Sequence, residues 1–303
     1  MTADYQSILQ QQASAGFAER DDENPSLIPL PGYGVITVTG EEAGSFLQNL
    51  LTNDVKQLDA QPAQITAMCN PKGRLLALFL LIKTPDGYQL VLPKSQCAFL
   101  AQRLNMFKLR SKVEITDHSE DLQVCGVLGN AQSTSAVALP VTSRALLVLP
   151  PEQMASELEP LIQNGWPLAA EASWHIHEIE AGIPYILPES RELFTAQQLN
   201  LDLIGGVSFR KGCYPGQEVV ARLHYLGEPK RRLFHAVANT NNLPAVGETV
   251  NDKDGAVIGH IVRAIQGPDQ QLLLQLSLKL EGADLNLFLN DGTAIEQVQP
   301  SAV

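Results

Sequence analysis

The stretch from Gly206 to Glu218 packs a thiol (Cys213), an ammonium (Lys211), a phenol (Tyr214), an amide (Gln217) and a carboxylate (Glu218) into one short segment. Gly212, Pro215 and Gly216 punctuate it, so the backbone must bend tightly there. Reactive side-chain types on a bent loop are what a binding or catalytic site needs. The chemistry on offer is that of a thiol beside cations. A free thiol has a pKa of about 8.5 and is mostly protonated at neutral pH; Lys211 and Arg210 nearby in sequence would raise the thiolate share. Cys213 and Lys211 are therefore the candidate catalytic pair.

Charge supports a site here. From Arg210 to Arg232 stand six basic residues (Arg210, Lys211, Arg222, Lys230, Arg231, Arg232) against Glu218 and Glu228, a local balance of +4 in a chain of −12. Such a window calls for an anionic partner group. The acidic balance of the whole chain excludes a general nucleic-acid sleeve, which needs a basic surface to displace counterions, so direct nucleic-acid binding is not expected. Cys69, Cys97 and Cys125 lie in apolar contexts and read as buried small hydrophobes. The four cysteines are far apart with no C-x-x-C pair, so metal-ligand spacing is missing. Cys213 alone cannot supply the four thiolates of an iron–sulfur cluster. No apolar run reaches the roughly 18 residues of a membrane span, and the start lacks the pattern of a signal peptide. A cytoplasmic protein without membrane association is expected.

The elements that must position this loop follow from periodicity. Residues 1–26 form a polar leader. Gly34 to Thr39 alternates as a strand, and Glu41 to Leu51 has helical spacing with two carboxylates in its first turn. Leu75 to Ile82 and Tyr88 to Leu92 read as strands joined by Pro85-Asp86-Gly87. Ser95 would cap a helix carrying Phe99, Leu100, Leu104 and Phe107, and Lys112 to Thr116 returns as strand. Val124 to Leu128 and Ala145 to Leu149 are further strands, and Glu152 to Gln163 a helix. Another helix is expected from Ser173, as its cap, to Ala181, stopped by Gly182 and Pro184. Beyond about residue 226 short alternating segments separated by turn pairs predict a small all-β unit of five or six strands.

Lys-Gly-Cys-Tyr-x-Gly-Gln-Glu at Lys211 to Glu218 resembles the signature of the YgfZ family of folate-binding, tRNA-modifying proteins, relatives of the aminomethyltransferase of glycine cleavage. The resemblance extends through Val35 to Gly40, Phe46 to Gln48, Leu51 to Val55, Pro71 to Arg74, Lys108 to Ser119, Ile179 to Pro184 and Val219 to Arg222. It implies an α+β fold: a tandem ferredoxin-like folate-binding α/β region around a central hole, then a C-terminal β-barrel. The domains would be 27–225, with an internal boundary near 118–125, and 226–303. It implies tetrahydrofolate or a derivative as cofactor, held by Tyr33, Trp174 and Glu180. A pterin wants aromatic faces and an acceptor for its N–H groups. On an ideal helix Trp174 and Glu178 share a face, with Glu180 about 120° away unless Gly182 ends the helix early.

The implied partners are folate and iron–sulfur enzymes, including tRNA-modifying ones, so that the link to tRNA is indirect. Cys213, Lys211, Tyr214, Gln217 and Glu218 would form the reactive loop. Where aminomethyltransferases carry an acidic pair after the glycine of Lys72-Gly73-Arg74, this chain has Leu76-Ala77, which cannot activate a folate nitrogen. An accessory role in iron–sulfur enzyme maintenance, not conventional catalysis, is expected. The alternative is a folate-dependent one-carbon transferase or demethylase.

Overall fold

A computed structural model describes residues 4–18, 25–129, 136–141, 143–268, 271–282 and 286–301. The elements in chain order are α1 (Tyr5–Gln12), β1 (Ser26–Pro29), β2 (Tyr33–Thr39), α2 (Ala43–Gln48), β3 (Ala63–Cys69), β4 (Leu75–Thr84), β5 (Gly87–Pro93), α3 (Lys94–Lys108), β6 (Glu114–Asp117), β7 (Gln123–Leu128), β8 (Val137–Ala138) and β9 (Arg144–Leu149). They continue with α4 (Pro151–Gln163), α5 (Glu171–Glu180), α6 (Gln217–Leu226), β10 (Arg231–Ala238), β11 (Thr249–Asp252), β12 (Val257–Gln266), β13 (Leu272–Lys279), β14 (Leu287–Phe288) and β15 (Ala294–Pro300). The chain divides into two compact units, each made of separate stretches: 1–46, 56–64 and 79–174 in the first, 47–55, 65–78 and 175–303 in the second.

In the first unit β1, β7, β9 and β8 form an antiparallel sheet in that order. Its apolar face buries Leu27, Cys125, Val127 and Leu147 against Met154 and Leu158 of α4. Tyr5 and Ile8 of α1 join this cluster, and the Gln12 amide donates to the carbonyls of Pro29 and Ala169 at 2.7 and 3.0 Å. The polar leader thus holds a helix that sequence reading did not draw, although Tyr5, Ile8 and Gln12 are spaced i, i+3, i+7 behind an Asp4 cap. A second sheet runs β3-β4-β5-β2-β6, with β2 and β5 in register from Tyr33↔Pro93 to Thr39↔Gly87.

In the second unit six strands close into a barrel, β10-β13-β12-β11-β14-β15, as the change in sequence pattern near residue 226 predicts. Alternate residues fill it: Phe234, Ala236 and Ala238 of β10 meet Leu272, Leu274, Leu276 and Leu278 of β13. Closure leaves no free sheet edge in the barrel.

Three local expectations change. The helix predicted over Glu41 to Leu51 is only Ala43–Gln48, because the carbonyls of Gln48, Leu51 and Asn53 turn to a side chain described below. Ser95 lies inside α3, whose cap position is Pro93 with no side-chain cap bond. Ser173 likewise lies inside α5, where its hydroxyl accepts from Ala18 N at 2.8 Å. The end of α5 is as expected: Gly182, at φ +67, takes the left-handed turn, and Ile183 N reaches back to Glu178 O at 2.8 Å.

Candidate functional site

The reactive segment leads directly into α6. Gly216 is its cap residue at φ +84, a conformation that favours glycine, and a Cβ there would meet Asn70 O at 2.4 Å and Gly73 N at 2.9 Å. The Pro71-to-Arg74 turn is thus pressed backbone to backbone on the start of α6. Asn70 Oδ1 holds that turn by accepting from the amides of Lys72 and Arg74 at 2.9 and 3.0 Å. Two sequence blocks about 140 residues apart therefore build one piece of structure, which is why glycine stands at both 73 and 216.

Lys211 is buried, at 8% exposure. Its Nζ donates to Gln48 O at 2.6 Å, Leu51 O at 2.5 Å and Asn53 O at 2.9 Å. An ammonium has three donors, and all three are used. Burial draws its pKa down to about 8, opposed by the charge of Asp54. The same two stretches are tied at further points: Thr52 Oγ1 donates to Gly206 O, Asn53 Nδ2 to Gly205 O and Ser208 N to Thr52 O. Tyr214 is buried with Lys211 Nζ 5.3 Å from its ring centroid, and burial raises its phenol pKa.

Cys213 is exposed, whereas Cys69, Cys97 and Cys125 are buried. Burial pushes those three thiols up to about 12, 11 and 12. Glu218, one residue beyond Gln217 at the start of α6, pairs on the surface with Arg222 one turn on, at 2.7 Å. Arg232 is committed to a two-point bond with Asp202, at 2.6 and 3.0 Å. The basic window is accordingly less available than its count implies: Lys211 and Arg232 have partners inside the fold, and Arg222 has one on the surface. At the far end of α6, His224 stacks on Phe209 at 3.7 Å, with Tyr225 edge-on to both.

The residues expected to hold a flat ring lie elsewhere in the chain. Tyr33 opens β2 and is 9% exposed. Trp174 is 1% exposed, one face on Gly126, where a Cβ would strike the ring at 2.4 Å, and the Arg144 guanidinium 4.5 Å from its centroid. With the ring enclosed to that degree, no face of Trp174 is open for a pterin to stack on. Its Nε1 is buried with no acceptor among the described residues, and that N–H is what it can offer a ligand. Glu180 ends α5 half-buried. The helix runs through Glu180, which therefore lies about 120° around α5 from Trp174.

Sequence reading places Glu178 on the helix face of Trp174 but assigns the ligand to Glu180. Glu178 is buried, pairs with Arg263 Nη1 at 3.1 Å and accepts from the Tyr185 hydroxyl, with His175 Nδ1 at 3.7 Å. The Arg263 guanidinium lies 3.8 Å from the Tyr185 ring centroid. The signal was present: Arg263 follows Ile261 and Val262 in β12, and a cation buried there needs an anion. Leu76 and Ala77 of β4 are buried, with no carboxyl between them. Among the described residues no group of three or more His, Cys, Asp or Glu side chains is arranged to hold a metal, and no helix is long and apolar enough to cross a membrane.

The fold is that of the glycine-cleavage aminomethyltransferases. The structure superposes on the glycine cleavage system aminomethyltransferase T from Bartonella henselae with a TM-score of 0.68, over 98% of this chain and 88% of that one, at 12% identity. The family model described as the GCVT N-terminal domain matches residues 23–139. Proteins named tRNA-modifying protein YgfZ are similar in sequence: that of Colwellia psychrerythraea is 31% identical over 69% of this chain and 70% of its own. That of Photobacterium profundum is 30% identical over 76% and 75%, and that of Cronobacter sakazakii 28% over 83% and 84%. The chain belongs to the YgfZ family.

Proposed function

We propose that this chain is a tetrahydrofolate-binding accessory protein that supports assembly or repair of iron–sulfur enzymes, and through them the methylthiolation of tRNA. The observation that carries the reading is Cys213: an exposed thiol on a loop braced from two sides, in a chain whose other three thiols are buried. In this reading 27–225 is the folate-binding region, divided internally near 118–125, and 226–303 is the barrel domain. Glu180 would accept from the amino and ring N–H groups of the pterin, Trp174 would donate its Nε1–H, and Tyr33 would contribute its ring. A reduced folate, when bound, would supply one-carbon carriage at its N5 and N10 nitrogens. Cys213 supplies a nucleophilic sulfur open to a protein partner. Work at the cytoplasmic side of the cell follows from the clients assigned.

Leu76 and Ala77 argue against the transferase alternative, since two buried apolar side chains offer no group to take or give a proton at a folate nitrogen.

Calorimetric titration of tetrahydrofolate into the full chain tests the ligand: saturable binding is expected, weakened in Glu180→Gln and Trp174→Phe. No measurable binding to the unaltered protein overturns it. For the loop, Cys213→Ser should fail to restore methylthiolated tRNA in cells lacking the protein. Full restoration would show that the thiol is dispensable.

A further inference from the structure

A lysine two residues from a cysteine invites an electrostatic role, and the geometry points away from one. The three hydrogens of Lys211 Nζ are spent on Gln48 O, Leu51 O and Asn53 O. Gln48 is the last residue of α2, and a helix leaves its final carbonyls without intrahelical donors. The Gln48 carbonyl, with those of Leu51 and Asn53 from the turn that follows, converges on one point. Three neutral oxygens around one compact cation make a tripod suited to an ammonium; a planar guanidinium cannot address all three.

We propose that Lys211 is a positioning residue: its side chain fills a three-carbonyl ammonium cradle that fastens the 48–53 turn to the 205–211 segment of the reactive loop, leaving Cys213 as the loop's reactive group. The inference rests on the reading of the Cys213 loop as the working surface. It also assigns the cradle a ligand class, because removing the side chain leaves a site for a small alkylammonium ion. Thr52, Asn53 and Ser208 bind the same two stretches, so the loop can stay folded while the cradle is emptied.

The test uses the purified full chain and needs neither folate nor a client enzyme, so its failure is distinct from failure of the proposed function. In Lys211→Ala, amide exchange across 48–53 and 205–213 should speed up by about tenfold or more. The alkylation rate of Cys213 by iodoacetamide should change while the midpoint of its titration stays put. Ethylammonium chloride should restore protection and rate; ethanol, similar in size but uncharged, should not. Lys211→Arg should behave like the alanine variant. The proposal is overturned if the thiol midpoint rises by about one unit with exchange unchanged, which would make Lys211 a charge acting on Cys213. It is equally overturned if Lys211→Arg matches the unaltered protein or if ethylammonium has no effect. Should Lys211→Ala fail to fold, the unaltered protein labelled with 15N-lysine decides: one ammonium must exchange its protons about tenfold more slowly than the exposed lysines, and its absence sinks the idea.

Discussion

Among the described residues of the second unit two cations are buried, Lys211 and Arg263, and they are satisfied in opposite ways. Arg263 faces a carboxylate, Glu178, which cancels its charge, with the Tyr185 hydroxyl and His175 on the same carboxylate. Lys211 faces three neutral carbonyls, which direct its hydrogens but cancel nothing, and burial accordingly draws its pKa down to about 8. The first arrangement stakes stability on a pair of opposite charges. The second stakes it on backbone shape, and so is sensitive to geometry in a way an ion pair is not.

The strongest way to break the contrast is to remove the anion. Glu178→Ala leaves Arg263 charged and buried, and should cost about 3–5 kcal/mol in urea unfolding. Replacing both partners with apolar residues, Glu178→Leu with Arg263→Met, should cost less than that single change, because no charge is left stranded. At Lys211 the cost should be smaller. Lys211→Met relieves the burial of a charge but strands three carbonyl oxygens, for a loss of about 1–3 kcal/mol. A double change has no counterpart there, since the acceptors are backbone.

The pH dependence sharpens the difference. Lys211 has a folded pKa near 8, below its ordinary value of 10.5, so the folded chain gives up that proton first. Between those values the unfolded chain binds more protons, and this group's contribution to stability rises with pH. The buried thiols act in the opposite sense. Their pKa values are raised to about 11–12, so the stability they lend is complete below 9 and is lost as pH climbs through the folded values. Subtracting the Lys211→Met curve from that of the unaltered protein isolates the lysine: the difference should move in favour of the unaltered chain from pH 8 to 10. A flat difference would mean the three carbonyls hold the pKa at its ordinary value. The smallest effect belongs to Cys213→Ser, an exposed change that should alter stability by less than about 0.5 kcal/mol while removing the thiol on which the proposed function rests.

Much of the architecture was legible because continuous apolar runs mark buried strands. Leu75–Thr84, Gly87–Pro93 and Gln123–Leu128 lie where their Leu, Ile and Val runs predict, and the turn pairs after residue 226 announced the barrel. Helix α6 was missed because Gly212, Pro215 and Gly216 drew attention to the bend, not to what starts after it, although Glu218 and Arg222 have the spacing of a helical pair. At the site, residue types were readable but their partners were not. Lys211 sits two places from Cys213 in sequence, yet its ammonium is bound to carbonyls about 160 residues earlier. Arg232, counted toward a positive surface, is answered by Asp202 outside the counted window. The resemblance points to Glu180, whereas Glu178 is explained by an arginine on a strand 85 residues further on. Local spacing cannot see such distances.

The way the chain is apportioned between its two units has a consequence for making it. Reading from the amino end, the polypeptide passes from one unit to the other five times, at about residues 46, 55, 64, 78 and 174. No single cut would release either unit whole. During synthesis the turn at 48–53 must wait for residue 211 to emerge before its carbonyls find their cation, so the second unit cannot finish folding until most of the molecule has been translated.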